Sequence, residues 1–151
     1  EWRHFGEGDV RQNYIKRIVN EFPVNASGDF PGYKTQADLI KYYLEFPVDV
    51  FVNVSSTEGT PVSIMEAVSC GIPVIATAVG GNTEIVSEKN GFLLNKNPSP
   101  DEIAEALLKV CDQREQMLQK RRGSRQIWQE RYKEKINFES FAERLVAIRK
   151  N

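Results

Sequence analysis

Metal ligands and disulfide partners are scarce in this chain: its 151 residues hold two cysteines and one histidine. Cys70 and Cys111 lie far apart without metal-ligand spacing, and each falls on an apolar helical pattern. They read as reduced thiols, which fits a reducing compartment. His4 stands alone in a predicted strand and reads as structural. No metal site and no cofactor is expected. Charge of one sign is missing as well. A formal net charge of −1 provides no global field, so sequence-independent binding to nucleic acid is not expected. No apolar run approaches the roughly 18 to 20 residues that span a bilayer, and no signal-peptide pattern is present. A cytoplasmic protein, working there or at the inner face of the membrane, is the expectation. The chain opens on Glu1 rather than Met, which reads as an excised piece of a longer protein. Its length suits a single domain with a real core. The sequons at Asn25 and Asn53 fall in or beside predicted strands and read as chance matches.

What is present is a regular alternation of strand and helix signals, the pattern of βαβ units and a mostly parallel sheet. Trp2 to Phe5 reads as a strand ended by Gly6-Glu7-Gly8. Asp9 can cap a helix that turns Val10, Tyr14, Ile18 and Val19 inward. Val24 to Ser27 reads as a short strand leaving into a turn, Gly28-Asp29-Phe30-Pro31-Gly32. Thr35 opens a helix with Leu39, Ile40, Tyr43 and Leu44. Val48 to Val54 reads as a buried strand, and a helix runs on to Cys70, stopped by Gly71. Pro73 to Thr77 is a further strand, followed by Gly80-Gly81 and a helical turn capped by Asn82. Gly91 to Leu94 is the last strand. Pro100 starts a helix with Ile103, Ala106, Leu107 and Val110 inward. A long polar helix is predicted over 113–134 with a thin apolar face of Met117, Leu118, Ile127, Trp128 and Tyr132. A final helix follows Asn137 with Phe138, Phe141 and Leu145. Residues 113–151 thus form a helical extension to a single domain, 1–151. Lys120-Arg121-Arg122, with Arg125 and Arg131, reads as a solvated helix face. A peripheral membrane contact is the second reading.

The chemistry is concentrated in Ser55-Ser56-Thr57-Glu58-Gly59-Thr60-Pro61-Val62-Ser63-Ile64-Met65-Glu66. Seven residues separate Glu58 from Glu66. Glu58 falls in a polar loop directly after a buried strand. Pro61 suits the first helical position, where its missing N–H is no loss. The helix start offers free backbone N–H groups and positive dipole charge. Glu66 falls among Val62, Ile64, Met65, Ala67 and Val68, where a carboxylate is costly unless donors reach it. A ligand carrying hydroxyls and phosphates would supply donors for both acids and an anion for the helix end. In open parallel sheets ligands sit at the carboxyl ends of strands. The segments at 6–8, 28–32, 55–60 and 77–82 are all expected to follow strands and to share one rim. Without wider context, a pair of satisfied helix-start acids is an equal reading.

Asp49-Val50-Phe51-Val52, Ser56, Glu58 through Ala67, Gly71-Ile72-Pro73-Val74-Ile75-Ala76-Thr77, Gly80-Gly81, Glu84-Ile85-Val86 and Gly91-Phe92-Leu93-Leu94 supply that context. Together they resemble the C-terminal, donor-binding half of retaining GT-B glycosyltransferases, of the large Glu-x7-Glu family that includes bacterial polysaccharide and glycolipid enzymes. Gly6-Glu7-Gly8-Asp9 is similar to that family's Gly-x-Gly turn. The resemblance covers roughly residues 1 to 110 and implies a Rossmann-like α/β fold with helices on both faces of the sheet. It also implies a nucleoside-diphosphate sugar as partner. Glu66 would hold the ribose hydroxyls. Glu58, the catalytic position, would bind hydroxyls of the donor sugar. The segment Gly59, Thr60, Pro61, Val62, Ser63 would turn its backbone amides to the sugar and diphosphate. Gly28, Asp29 and Phe30 would touch the base.

Transfer in the family retains anomeric configuration: the acceptor hydroxyl attacks on the face the diphosphate leaves, without a bound metal. Glu58 then positions the sugar, and neither acid is assigned general-base work. The family's diphosphate-gripping Arg and Lys belong to a βα unit upstream of Glu1, and the N-terminal acceptor domain is likewise outside this chain. Five strands are read where the family has six. The fragment is therefore expected to bind donor weakly and to turn nothing over. A non-catalytic sugar-nucleotide-binding or scaffold module is the alternative. An epimerase or phosphorylase of GT-B build fits the glutamate loop less well. Which sugar, base, acceptor and oligomeric state apply stays open.

Overall fold

A computed structural model describes residues 1–6 and 21–148. The helix expected after Asp9 lies outside those residues, as does the turn at 7–8. The chain divides into two compact units, 1–42 and 43–151, each treated by itself.

In the first unit, β1 (Trp2–Phe5) pairs in parallel with β2 (Gly28–Gly32), with Trp2 opposite Gly28 and Arg3 opposite Asp29. This corrects the reading of 24–32. Val24 is fully exposed, in a turn where the Ala26 amide donates to Pro23 O at 2.8 Å. The strand is the Gly/Pro-rich run itself. Such a run signals a turn locally, but pairing with β1 overrides the signal. The register shift between Arg3 and Phe5 and an edge position accommodate Pro31, which has no N–H to give. A helix, α1 (Gln36–Glu45), follows. Its cap is as expected: the Thr35 hydroxyl accepts the Asp38 amide at 3.2 Å. The same hydroxyl donates to the Asp38 carboxylate at 2.7 Å and holds its pKa below the usual value.

The second unit is built on three parallel strands in the order β3 (Phe51–Asn53), β4 (Val74–Thr77), β5 (Gly91–Leu94). Phe51 lies opposite Val74, and Val74 opposite Gly91. β4 is buried along its whole length, as a central parallel strand should be. Its side chains alternate between two cores. Val74 and Ala76 join Ile64 and Val68 of α2 (Val62–Ser69) with Ile85 and Val86, at α3 (Asn82–Ile85) and just after it. Ile75 joins Leu94 and Ala106 of α4 (Pro100–Asp112), with Ile103, Leu107 and Val110 beside them. Helices therefore cover both faces of a parallel sheet, the α/β arrangement expected. Ser99 caps α4, its hydroxyl accepting the Glu102 amide at 3.1 Å, and Pro100 sits at the helix start.

Gly71 ends α2 at φ +72°. Its N–H reaches Val68 O and that of Ile72 reaches Ala67 O, both at 3.0 Å, the paired closure a left-handed C′ residue allows. The long helix expected over 113–134 is instead α5 (Arg114–Ile127) followed by a π-helical turn, Trp128–Tyr132. The last helix, α6 (Glu134–Ile148), begins earlier than expected. Met117 and Ile127 are buried as expected, but Leu118 is exposed. Phe138, Phe141 and Leu145 of α6 lie more than half exposed.

The basic run is not simply a solvated face. Lys120 is buried and donates to Glu88 O at 2.6 Å and Gly91 O at 3.1 Å, with its ammonium 4.5 Å from the Phe92 ring. Burial lowers its pKa. Arg121 donates to Val48 O, and Arg125 to Ser69 O while lying over Trp128. These cations clamp α5 to carbonyls of the fold, while Arg122 is exposed. No helix among the described residues is long and apolar enough to cross a membrane.

Candidate functional site

The carboxyl ends of β3 and β4 meet in two loops that are tied together. Asn53 ends β3, and its amide Nδ2 donates to Glu58 Oε1 at 3.0 Å while its Oδ1 accepts the Ser55 amide at 3.1 Å. From β4, the Thr77 hydroxyl donates to Ser55 O at 2.6 Å. The Gly81 amide donates to Gly59 O at 3.0 Å. The Glu58–Gly59 backbone lies so close on the 80–81 turn that an ideal Cβ on Gly80 would overlap Glu58 O, and one on Gly81 would overlap Gly59 O. Gly80 also has φ +45°, a region other residues enter at a cost. The segments 55–60 and 77–82 thus share one rim. Asn82, expected as the cap of α3, is inside that helix. It is fully buried and its Nδ2 donates to Thr77 O at 2.9 Å, pinning the rim turn from below.

Glu58 is half-buried, and Gly59 and Thr60 beyond it are exposed. Pro61 is buried and serves as N-cap rather than first helical residue: its carbonyl accepts the Ile64 and Met65 amides, each at 3.1 Å. No side chain caps α2, and Val62 and Ser63 at its start are exposed. Glu66 is half-buried in the middle of α2, five residues past the cap, or about 7.5 Å along the axis at 1.5 Å per residue. One loop-helix segment therefore carries both acids, the earlier one held by the sheet, with exposed backbone and a helix start between them.

Gly28, Asp29 and Phe30 belong to the first unit. They lie in strand β2 rather than in a loop. Asp29 faces Arg3, whose Nε lies 3.1 Å from its carboxylate, and the Phe30 ring is 6.2 Å from that of His4. The sequence reading missed Asn53, Thr77 and the packing role of Gly80-Gly81. Asn53 followed two residues on by a free amide is the Asx-turn pattern, which was there to be seen.

The chain's sequence matches the Glycosyl transferases group 1 family over residues 5–131, and the chain belongs to that family. It is 30% identical over 118 residues to sucrose-phosphate synthase of Zea mays, covering 77% of this chain and 10% of that protein. Over 65 residues it is 43% identical to UDP-Gal:alpha-D-GlcNAc-diphosphoundecaprenol alpha-1,3-galactosyltransferase of Escherichia coli, covering 42% of this chain and 16% of that one. Among solved structures, Anabaena HepE in complex with UDP superposes with a TM-score of 0.78 at 24% identity, over 96% of this chain and 40% of HepE. The fold is of the GT-B type, and the chain spans well under half the length of these relatives.

Proposed function

We propose that this chain is the donor-binding domain of a glycosyltransferase that takes its sugar from a nucleoside diphosphate and transfers it with retention. The observation that carries the reading is the rim itself. A half-buried carboxylate, Glu58, is fixed from the end of β3, and a second, Glu66, lies further along the same segment, with exposed backbone and an uncapped helix start between them. Vicinal hydroxyls are matched by carboxylates, which accept two bonds at once. Glu66 is assigned to the ribose and Glu58 to the donor sugar. The N–H groups of Gly59, Thr60, Val62 and Ser63 and the α2 dipole then face the sugar and diphosphate, where negative charge builds on the diphosphate as the sugar leaves. A Cβ on Gly59 would meet nothing within 4 Å, and its φ is not positive. Packing does not demand glycine there, whereas close approach of a sugar would. The complex of HepE with UDP-glucose supports a nucleotide sugar as the ligand class.

Charge stabilisation at the diphosphate needs no metal. The acceptor is a hydroxyl of a cell-surface polysaccharide or glycolipid precursor on the cytoplasmic side, bound by a domain outside this chain. Alone, residues 1–151 would bind donor weakly and turn nothing over.

The test is Glu66→Ala in the complete protein, titrated with a panel of UDP-, GDP- and ADP-linked hexoses and with the free nucleotides. Each lost charge-assisted bond is worth about 1.5–3 kcal/mol, so affinity for nucleotide sugar and for free nucleotide should both fall about tenfold or more. Unchanged affinity would remove Glu66 from the site.

A further inference from the structure

We propose that Asn53 is a positioning residue that sets the Glu58 carboxylate for the donor sugar; this rests on the reading that Glu58 faces that sugar. Asn53 is the last residue of β3, its backbone paired opposite Ala76 of the central strand, so its Cα is as fixed as the sheet. Glu58 is five residues further on, in a loop with no regular structure of its own. A single side chain bridges the two. The amide is held at both ends: Oδ1 takes the Ser55 N–H at 3.1 Å and Nδ2 gives to Glu58 Oε1 at 3.0 Å. Turning it over would set oxygen against carboxylate and NH₂ against N–H, so both contacts select one orientation.

The chemistry of the residue matters as much as its place. A carboxylate offers about four acceptor directions, and one amide donor occupies one of them. The rest stay available for sugar hydroxyls. Because the donor is neutral, Glu58 keeps its full charge as an acceptor. Lysine or arginine at this place would hold the carboxylate as firmly but neutralise it and compete with the sugar for its lone pairs. Alanine would leave the loop acid without its tie to the sheet. Aspartate is the informative replacement, because it puts a second carboxylate about 3 Å from the first. Two acids that close tend to share one proton, and the upper pKa of the pair is raised. Below that pKa, the shared proton restores an O–H donor where Nδ2 stood and keeps the pair's charge at −1, as in the natural protein. Above it, two anions repel and Glu58 is driven from its place.

The experiment uses the complete protein and the nucleotide sugar from the same panel that binds it most tightly, with the matching free nucleotide alongside. Asn53→Ala is expected to weaken nucleotide-sugar binding about tenfold and to leave free-nucleotide affinity within about twofold. For Asn53→Asp, nucleotide-sugar affinity should be nearest that of the natural protein at the most acid pH the fold tolerates and fall at least tenfold by about pH 8.5, as the shared proton is lost. The natural protein should not show that slope with the nucleotide sugar. The free nucleotide, whose terminal phosphate itself titrates near about pH 6, should give the same pH profile with Asn53→Asp as with the natural protein. A purely structural role for Asn53 would weaken both ligands together with no new pH dependence, and either result overturns the proposal. Glu58→Ala separates the two levels of inference. If it binds nucleotide sugar as the natural protein does, the site reading fails and takes Asn53's role with it. If it weakens binding while Asn53→Ala and Asn53→Asp do not, the assignment of Asn53 alone is wrong. With Glu58 already replaced by alanine, Asn53→Ala should add no further loss.

Discussion

Gly80→Ala should destabilise the protein by about 2–6 kcal/mol, a non-glycine residue at positive φ costing about 1–3 and an overpacked contact about 1–3. The atom a new methyl group would strike is the Glu58 carbonyl oxygen, with the Glu58 Cα close behind. No rotamer change relieves that contact, because both partners are backbone. The glutamate loop must lift or the turn must unwind, and the turn is held by Thr77, Gly81 and buried Asn82. A 150- to 250-residue protein loses roughly 2–4 °C of Tm per kcal/mol, so calorimetry should record a fall on the order of 10 °C. Affinity for nucleotide sugar should fall tenfold or more in the folded remainder, since the loop that carries Glu58 has moved. A variant with unaltered Tm and affinity would mean that the two loops are not seated on one another as described.

Gly123→Ala is the second large effect, and its sign is what makes it diagnostic. In an exposed helix interior this substitution stabilises by about 0.8–1 kcal/mol. Gly123 lies inside α5, yet a Cβ there would overlap the Lys89 carbonyl oxygen in the turn before β5. The helix cannot move away freely. One turn earlier Lys120 is bonded to Glu88 O and Gly91 O, and the next residue, Ser124, donates from a fully buried hydroxyl to Ile72 O at 2.9 Å. Overpacking of about 1–3 kcal/mol, plus about 1–3 for buried bonds disturbed, exceeds the propensity gain and leaves a net loss of about 1–5 kcal/mol. Urea denaturation reads it directly, with Gln119→Ala on the exposed side of α5 as the control. A Gly123→Ala protein as stable as the natural one would show that α5 does not rest on this turn.

These two glycines mark where reading the sequence falls short. Hydrophobic periodicity located β4, β5, α2 and α4, because burial of alternating or helically spaced apolar residues positions them. It also placed β1, with the bounds Trp2–Phe5 as read. The same signal failed at β2, where Gly28 to Gly32 carries turn residues and only pairing with β1 makes it a strand. On α5 it succeeded only in part: Met117 and Ile127 are buried as read, but between them the contact stripe is Lys120, Gly123 and Ser124, a cation, a missing side chain and a hydroxyl aimed at carbonyls. No apolar pattern announces such a stripe, and a Lys-Arg-Arg run looks like a wet surface. At the site, the loop and its two acids were legible from residue type and spacing. The supports were not: Asn53, Thr77 and Gly80-Gly81 act through contacts between segments far apart in sequence.

The most direct test of the central claim is a crystal structure of the complete protein with its nucleotide sugar bound. Glu66 should accept ribose hydroxyls and Glu58 hydroxyls of the sugar, each within about 2.5–3.2 Å, with the diphosphate over the start of α2. A bound donor that lies elsewhere, with those carboxylates turned to different faces of the domain, would contradict the account.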